Sequence, residues 1–283
     1  MPDLPLKPAS CILCKSVEHE LLAVFETPRD GENIFGISGY YRELWRCKVC
    51  GLFCNRHRHD LSRIYEEQYG QAAYDYGRQK SRFDAIMNLP ADKSDNRERV
   101  RRVIAYVEGR HAELDRSVLD VGCGMAVFPA VMREHGWSVT AIDPNPVSVE
   151  HAEKMAGVKA IAGSFPSVKV PQKYALITFN KVLEHIENFV ECLSAARSYL
   201  AIGGVVYVEL PDGEAAIEAG PDRQEFFLEH YYAFGFSSLA LPAKHAGFFV
   251  QSMERIIDPS GKRTLFAFLN AGSSLHQPQN RQS

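Results

Sequence analysis

From residue 94 onward the apolar positions of this chain alternate between helical and strand spacing. Between Asp95 and Gly109 they fall at Val100, Val103, Ile104 and Val107, the rhythm of one helix face. Ser117 to Val121 is a short apolar run that predicts a strand. Helical spacing returns from Met125 to His135, with Phe128, Val131 and Met132 on one side and Gly136 as the stop. A strand over Ser138 to Ile142 leads to a helix opened by Pro146 and closed by Gly157. Val158 to Ala162, Tyr174 to Phe179 and Val205 to Leu210 are further strands. Between the last two, Ile186, Phe189, Val190, Leu193, Ala196 and Leu200 mark another helix. Strands alternating with helices predict an α/β fold, a parallel sheet covered on both faces.

The first sixty residues follow a different pattern. Strand-like runs at His19 to Thr27, Tyr40 to Arg46 and Gly51 to Cys54 are separated by Gly31, Gly36 and Gly39. Cys11-x-x-Cys14 and Cys47-x-x-Cys50 flank them, and four of the seven cysteines fall in these two pairs. In a chain without secretory features that spacing favours a metal over disulfides. Two such turns brought together by a sheet close a tetrahedral zinc site, so Cys11, Cys14, Cys47 and Cys50 are the expected ligands of a zinc ribbon. Four thiolates fill the site, which makes the metal structural; free or oxidised cysteines are the alternative. Cys54, His57 and His59 lie near enough in sequence to replace a ligand, but Cys54 is expected in the ribbon's own core. Cys123 and Cys192 lack charged neighbours that would activate a thiolate and read as buried.

Composition narrows the class. The chain has 283 residues, is 46% hydrophobic and 24% charged, and carries a net charge of −3. That is ordinary for a soluble globular protein and gives no basic excess for nucleic acid. Residues 1–60 hold eight Lys/Arg against eight Asp/Glu. No apolar run approaches the roughly 18 residues of a membrane span, and Met1-Pro-Asp-Leu-Pro does not begin a signal peptide. A cytoplasmic location is therefore expected. The expected organisation is a zinc-ribbon module over 1–60, an aromatic linker or lid over 61–93, a cofactor domain over 94–272 and a disordered tail over 273–283.

The cofactor loop is Val118-Leu-Asp-Val-Gly-Cys-Gly124. Gly122 and Gly124 follow a strand and lead into a helix, where backbone can approach a ligand closely. Asp143 ends the next strand, and a carboxylate there can accept both ribose hydroxyls of an adenosine. A dinucleotide fingerprint requires a third glycine, yet position 127 is Val. Asp120, two residues before Gly122, would repel a pyrophosphate but suits a ligand with an ammonium group. S-adenosylmethionine carries an ammonium and a sulfonium and no phosphate, so electrostatics favours it. Asp120 bonding its own backbone amides is the structural alternative.

Taken together these segments resemble the class I S-adenosylmethionine-dependent methyltransferases. The loop at 118–124 is similar to that family's first motif and Asp143 to its ribose-binding acid. Gly163-Ser164-Phe165 resembles the segment flanking the adenine, and Phe179-Asn180-Lys-Val-Leu-Glu-His-Ile186 the motif beside the methionine end. The resemblance covers about residues 60–270 and implies a Rossmann-like, mostly parallel sheet of seven strands whose last strand is antiparallel. It also implies cofactor contacts from Asp120, Gly122, Gly124, Asp143, Ser164, Phe165 and Asn180. With the paired cysteines, Leu61 to Tyr69 and Glu229-His-Tyr-Tyr-Ala-Phe234, the chain is similar to a bacterial subfamily whose members act on sugars, surface glycans or natural products. A further domain after Leu269, usual in carbon-methylating relatives, is not expected here.

Methyl transfer aligns a nucleophile with the methyl group, and a neutral hydroxyl or carbon acid also needs a base. His230 is the expected base. Glu229 and His185 complete the candidate catalytic set, although adjacency in sequence does not make Glu229 the group that orients His230. Tyr65, Tyr69, Tyr74 and Tyr76 form a stripe that suits either a lid or packing between the modules, and Lys80 to Arg82 offers an anion contact. Asp212 to His230 holds six acids and only Arg223 as a base, which disfavours RNA and nucleotide diphosphates unless phosphates reach Lys181, Lys244 or the helix from Arg97 to Arg102. The expected partner is thus a small molecule or sugar acceptor. An RNA methyltransferase and a non-catalytic cofactor-binding protein remain the alternatives.

Overall fold

The computed structural model describes residues 6–32, 39–59, 76–110 and 113–272. Its central feature is a seven-stranded sheet. Five strands run parallel: β4 (Ser117–Val121), β5 (Ser138–Asp143), β6 (Lys159–Ala162), β7 (Tyr174–Asn180) and β8 (Leu200–Pro211). β10 (Phe249–Ile257) and β11 (Arg263–Asn270) complete it, in the spatial order β10-β11-β8-β7-β4-β5-β6. β11 is antiparallel to both neighbours, so the expected Rossmann-like architecture with an antiparallel last strand is observed.

β4, β7 and β8 are buried almost throughout, the continuous apolar reading of strands covered on both faces. Phe128, Val131 and Met132 of helix α3 (Val127–Glu134) pack on one face with Val103 and Val107 of α2 (Asp95–Arg110). Phe189, Leu193 and Ala196 of α5 (Phe189–Tyr199) and Leu239 of α7 (Phe236–His245) cover the other. α3 starts two residues later than its spacing predicts, because Ala126 is left-handed (φ 55°) and belongs to the cofactor loop. The helix after β5 is α4 (Pro146–His151), continued by a π turn over Ala152–Ala156. α1 (Tyr76–Met87) precedes α2, and α6 (Gly213–Ile217) follows β8.

The amino-terminal strands β1 (His19–Phe25), β2 (Arg42–Cys47) and β3 (Phe53–His57) form an antiparallel sheet. This sheet does not close within residues 1–60. Its fourth strand is β9 (Tyr232–Ala233), which pairs with β3 at Phe53–Ala233 and Cys54–Tyr232. The module boundary read from the sequence therefore falls inside a continuous sheet. Gly213 shows how tightly the parts fit, since a Cβ there would lie 2.5 Å from the Phe53 ring.

Candidate functional site

Gly122 and Gly124 form the turn between β4 and α3, with φ of 76° and 49°. Glycine is required at 122 twice over. The backbone is left-handed, and a Cβ would lie 2.6 Å from Val182 Cγ2. Among the described residues nothing lies within 4 Å of a Cβ built on Gly124, so the backbone there is not covered by them. Asp143 sits at the end of β5, nearly buried, and its two oxygens accept the amides of Gly124 and Asn145 at 2.9 Å each. Burial raises its carboxyl above the ordinary range while those two amides pull it back. A carboxylate has about four acceptor positions, so two remain for a ligand.

Asp120 is held in β4 rather than in the loop. It is buried and accepts from the Thr178 hydroxyl at 2.6 Å and the Asn180 amide at 2.7 Å. It does not bond its own backbone amides among the described contacts, which removes the turn-stabilising alternative. Burial pushes its carboxyl up to about 7. The bond to Asp120 uses the Asn180 NH2 and leaves Asn180 Oδ1 buried without a partner. An acceptor in that state, beside an open glycine turn, matches a ligand that brings N–H donors. Phe165 is buried, 6.0 Å from Phe179 between ring centroids, while Ser164 is exposed.

The four paired cysteines converge. Their sulfurs all lie within 4.8 Å of one another, with Cys11–Cys50 and Cys14–Cys47 at 3.5 Å, and none forms a disulfide. Zinc–sulfur bonds of about 2.3 Å give tetrahedral edges of about 3.8 Å, so the spacing suits that metal. Each pair ends in a left-handed residue, Lys15 (φ 62°) and Gly51 (φ 73°), and the amides of both bond back to the first cysteine's carbonyl. The two turns are thus equivalent. Cys54 stays half-buried, and His57 and His59 contact each other instead of the cluster.

At the carboxyl end of β7 a short turn (Leu183–His185) meets the loop before β9. The Tyr231 amide donates to the Glu184 carbonyl at 2.8 Å, and His185 Nδ1 donates to the Glu229 carbonyl at 2.8 Å. His230 Nδ1 donates to the Glu225 carbonyl at 3.0 Å. The group orienting His230 is therefore a backbone carbonyl five residues earlier, and the Glu229 carboxylate does not fill that role. The His185 and His230 rings meet edge to face at 4.9 Å. Burial, then the neighbouring His185, lowers His230 to about 3, and burial lowers His185 as well. With Nδ1 committed as donor, Nε2 is the basic nitrogen of each ring. Sequence reasoning placed Glu184 here without a role. Its carboxylate is buried, both oxygens lack partners, and burial pushes it up to about 8.

The charge reading of the sequence needs correction. Asp212 and Glu214 pair with Arg255, Glu225 with Arg223 and Asp222 with Arg29, so the acidic segment is largely neutralised. Lys181 is equally committed, donating to the Leu210 carbonyl at 3.0 Å and the Thr264 hydroxyl at 2.7 Å. Arg99 and Arg102 bind the buried Glu209 carboxylate, leaving neither for a phosphate. Lys80 pairs with Asp84 at 2.5 Å. Tyr65, Tyr69 and Tyr74 lie outside the described residues.

A protein family described as a methyltransferase domain matches residues 93–253, more than half of the chain. A mitochondrial ubiquinone biosynthesis O-methyltransferase of Schizosaccharomyces pombe is 34% identical over 81 residues, covering 26% of this chain and 30% of that protein. The namesake of Saccharophagus degradans is 27% identical over 110 residues, covering 36% and 46%. The chain thus spans under half the length of these curated relatives. Among solved structures, a 1,6-didemethyltoxoflavin-N1-methyltransferase of Burkholderia thailandensis superposes with a TM-score of 0.54 at 18% identity. That match covers 81% of this chain and 94% of the other. A magnesium protoporphyrin IX methyltransferase of Synechocystis gives 0.55 at 13% identity over 74% and 99%. At these identities the structural likeness concerns the fold alone. Among the described residues no helix is long and apolar enough to cross a membrane.

Proposed function

The chain belongs to the methyltransferase-domain family, and on that premise we propose that it transfers a methyl group from S-adenosylmethionine to a small-molecule acceptor. The observation that carries this reading is the partnerless Asn180 Oδ1 beside the open turn at Gly124, with Asp143 at the neighbouring strand end. Asp143 would hold the ribose, Asn180 Oδ1 the ammonium, and the Gly122–Gly124 turn the adjoining backbone contact. Ser164 and Phe165 are the proposed adenine-side neighbours. When bound, the cofactor supplies an electrophilic methyl on a sulfonium. Cys11, Cys14, Cys47 and Cys50 would hold a zinc ion whose coordination they fill, so it serves the fold and not the reaction.

The acceptor would lie beyond the ends of β7 and β8, the ligand edge of an open sheet. His230 is the proposed base, with His185 against its ring and the Glu225 carbonyl fixing its tautomer. Within the small-molecule class the narrower candidates are a sugar or glycan precursor and an oxygen acceptor of the kind used by the ubiquinone biosynthesis O-methyltransferases. Methyl-labelled S-adenosylmethionine incubated with the protein and a fractionated extract separates them. Label in a small-molecule or glycan fraction supports the reading and identifies the acceptor; label in RNA overturns it. With that acceptor in hand, His230→Ala is expected to cut turnover by roughly 10²-fold or more while cofactor affinity holds. Unchanged turnover would remove His230 from the mechanism.

A further inference from the structure

Glu184 has no part in the chemistry above, yet its setting is costly for a structural residue. Its side chain has no exposed surface, and neither carboxylate oxygen has a hydrogen-bond partner. An ionised carboxylate in that state is unfavourable by several kcal/mol. One of its oxygens and one ring nitrogen each from His185 and His230 lie within 4.8 Å of one another. Nδ1 of both rings is committed to a carbonyl, at Glu229 and Glu225. With Nδ1 of each ring committed as donor, the remaining ring nitrogens and the carboxylate are proton acceptors.

We infer that Glu184 is the positioning residue of His230: the two titrate as one coupled pair, and the ionised carboxylate is the counter-ion that lets His230 act as a base. This rests on the methyl-transfer reading. The argument is one of charge. A protonated Glu184 beside a neutral ring is uncharged overall, and so is a carboxylate beside an imidazolium. A low-dielectric site favours these two states over any with net charge. On its own His230 is a poor base, held at about 3 by burial and His185. Glu184, raised to about 8 by burial, supplies what the ring lacks. The surrounding charges are Lys181, Glu209 and Arg99 around Glu184, Lys181 and Lys262 around His230, and Glu229 beside His185. Lys181 favours the ionised form of Glu184 through its charge but makes no contact with it, its ammonium donating to the Leu210 carbonyl and the Thr264 hydroxyl, and burial still outweighs it.

In the working state Glu184 is ionised and His230 neutral. The acceptor's X–H bond breaks and its proton forms an N–H bond at His230 Nε2. When S-adenosylmethionine is bound, the electron pair left on X would form the bond to its methyl carbon, and the carbon–sulfur pair would stay on sulfur. The cluster moves from one negative charge to none, the direction burial favours.

The test needs no acceptor. Full-length, zinc-loaded protein with ¹⁵N-labelled histidine is titrated from pH 5 to 10 by long-range ¹H–¹⁵N spectroscopy. His230 is assigned by the signal missing in His230→Gln. A transition of the His230 ring nitrogens with a midpoint near 8 is expected in the wild type. Glu184→Gln should abolish it and leave the ring neutral down to about pH 5, while Glu184→Asp should retain a transition. The same transition in Glu184→Gln, or none in the wild type between pH 6 and 10, overturns the inference. So does a transition that vanishes on dialysis against a chelator too weak to strip thiolate zinc and returns with Mn²⁺, because the cluster would then be a cation site. S-adenosylmethionine titration of the same samples keeps the two readings apart. Absent cofactor binding in the wild type defeats methyl transfer and leaves the proton pair to stand or fall on its spectra.

Discussion

Asp143 and Glu184 are both buried acids with raised carboxyls, and they differ in what surrounds them. Asp143 accepts two backbone amides from the turn it faces, so its cost of burial is offset and lone pairs remain for a ligand. Asp143→Ala is expected to weaken S-adenosylmethionine binding by about 1–3 kcal/mol, measured by calorimetry; unaltered affinity would end the ribose assignment. Its position was legible in the sequence because it ends the strand-like run that follows the Gly122–Gly124 turn, ahead of the helix opened by Pro146. Glu184 was not legible as a functional group. Its neighbourhood depends on His230 arriving from 46 residues away, and no local pattern carries that.

At the scale of elements, the amino-terminal sheet builds the loop that carries His230. The Asn55 amide, on β3, donates to the carbonyls of Phe226, Phe227 and His230 at 3.0, 3.0 and 2.8 Å. Its oxygen accepts from the buried Arg42, which also pairs with Glu32 at 3.1 Å, and Glu32 in turn accepts the Leu228 amide. Asn55→Ala removes this donor from the Phe226 and His230 carbonyls, while Phe227 keeps the His230 amide, so a loss of about 1–3 kcal/mol in denaturant unfolding is expected. A loss within 0.3 kcal/mol would mean that water replaces the amide. The same coupling predicts the effect of the metal. Stripping zinc with a strong chelator should release the ion, alter Trp45 fluorescence, since Trp45 lies on β2, and shift the His230 ring signals together. Loss of the metal with His230 unmoved would separate the two modules. The sequence predicted the strands and the cysteine turns, but not that β9 completes the sheet. Two residues contribute no period to recognise.

Over the whole molecule, burial moves several groups in directions that set a pH window. Glu184 is raised to about 8 and Asp120 to about 7, so each binds a proton more readily in the folded state than in the unfolded. Their contribution is fully present below the unfolded carboxyl range and is lost as pH rises through those values. His230 at about 3 and His57 at about 4 act the other way, withdrawing stability as pH falls below about 6.5. Between pH 6.5 and 8 these acids oppose the thiolates that a bound zinc ion keeps deprotonated in the folded state, so the test is a difference between two proteins. The thermal stability of zinc-loaded Glu184→Gln relative to wild type should rise as the pH goes from 6.5 to 8. An equal slope in the variant would assign the loss to other groups.

Local signals determined much of this protein from the sequence alone. The alternation of strand and helix periods set the α/β class, the Gly122–Gly124 turn and Asp143 fell at neighbouring strand ends, and two Cys-x-x-Cys turns gathered four cysteines. Each depends on spacing within a few residues, which the covalent chain enforces. Tertiary structure decided the rest: the pairing of Arg255, Arg223 and Arg29 with the acidic segment, the commitment of Lys181 and Arg99, and the meeting of Glu184, His185 and His230. Charge and proton affinity depend on which groups share a buried volume, and in this fold those groups come from segments far apart in the chain.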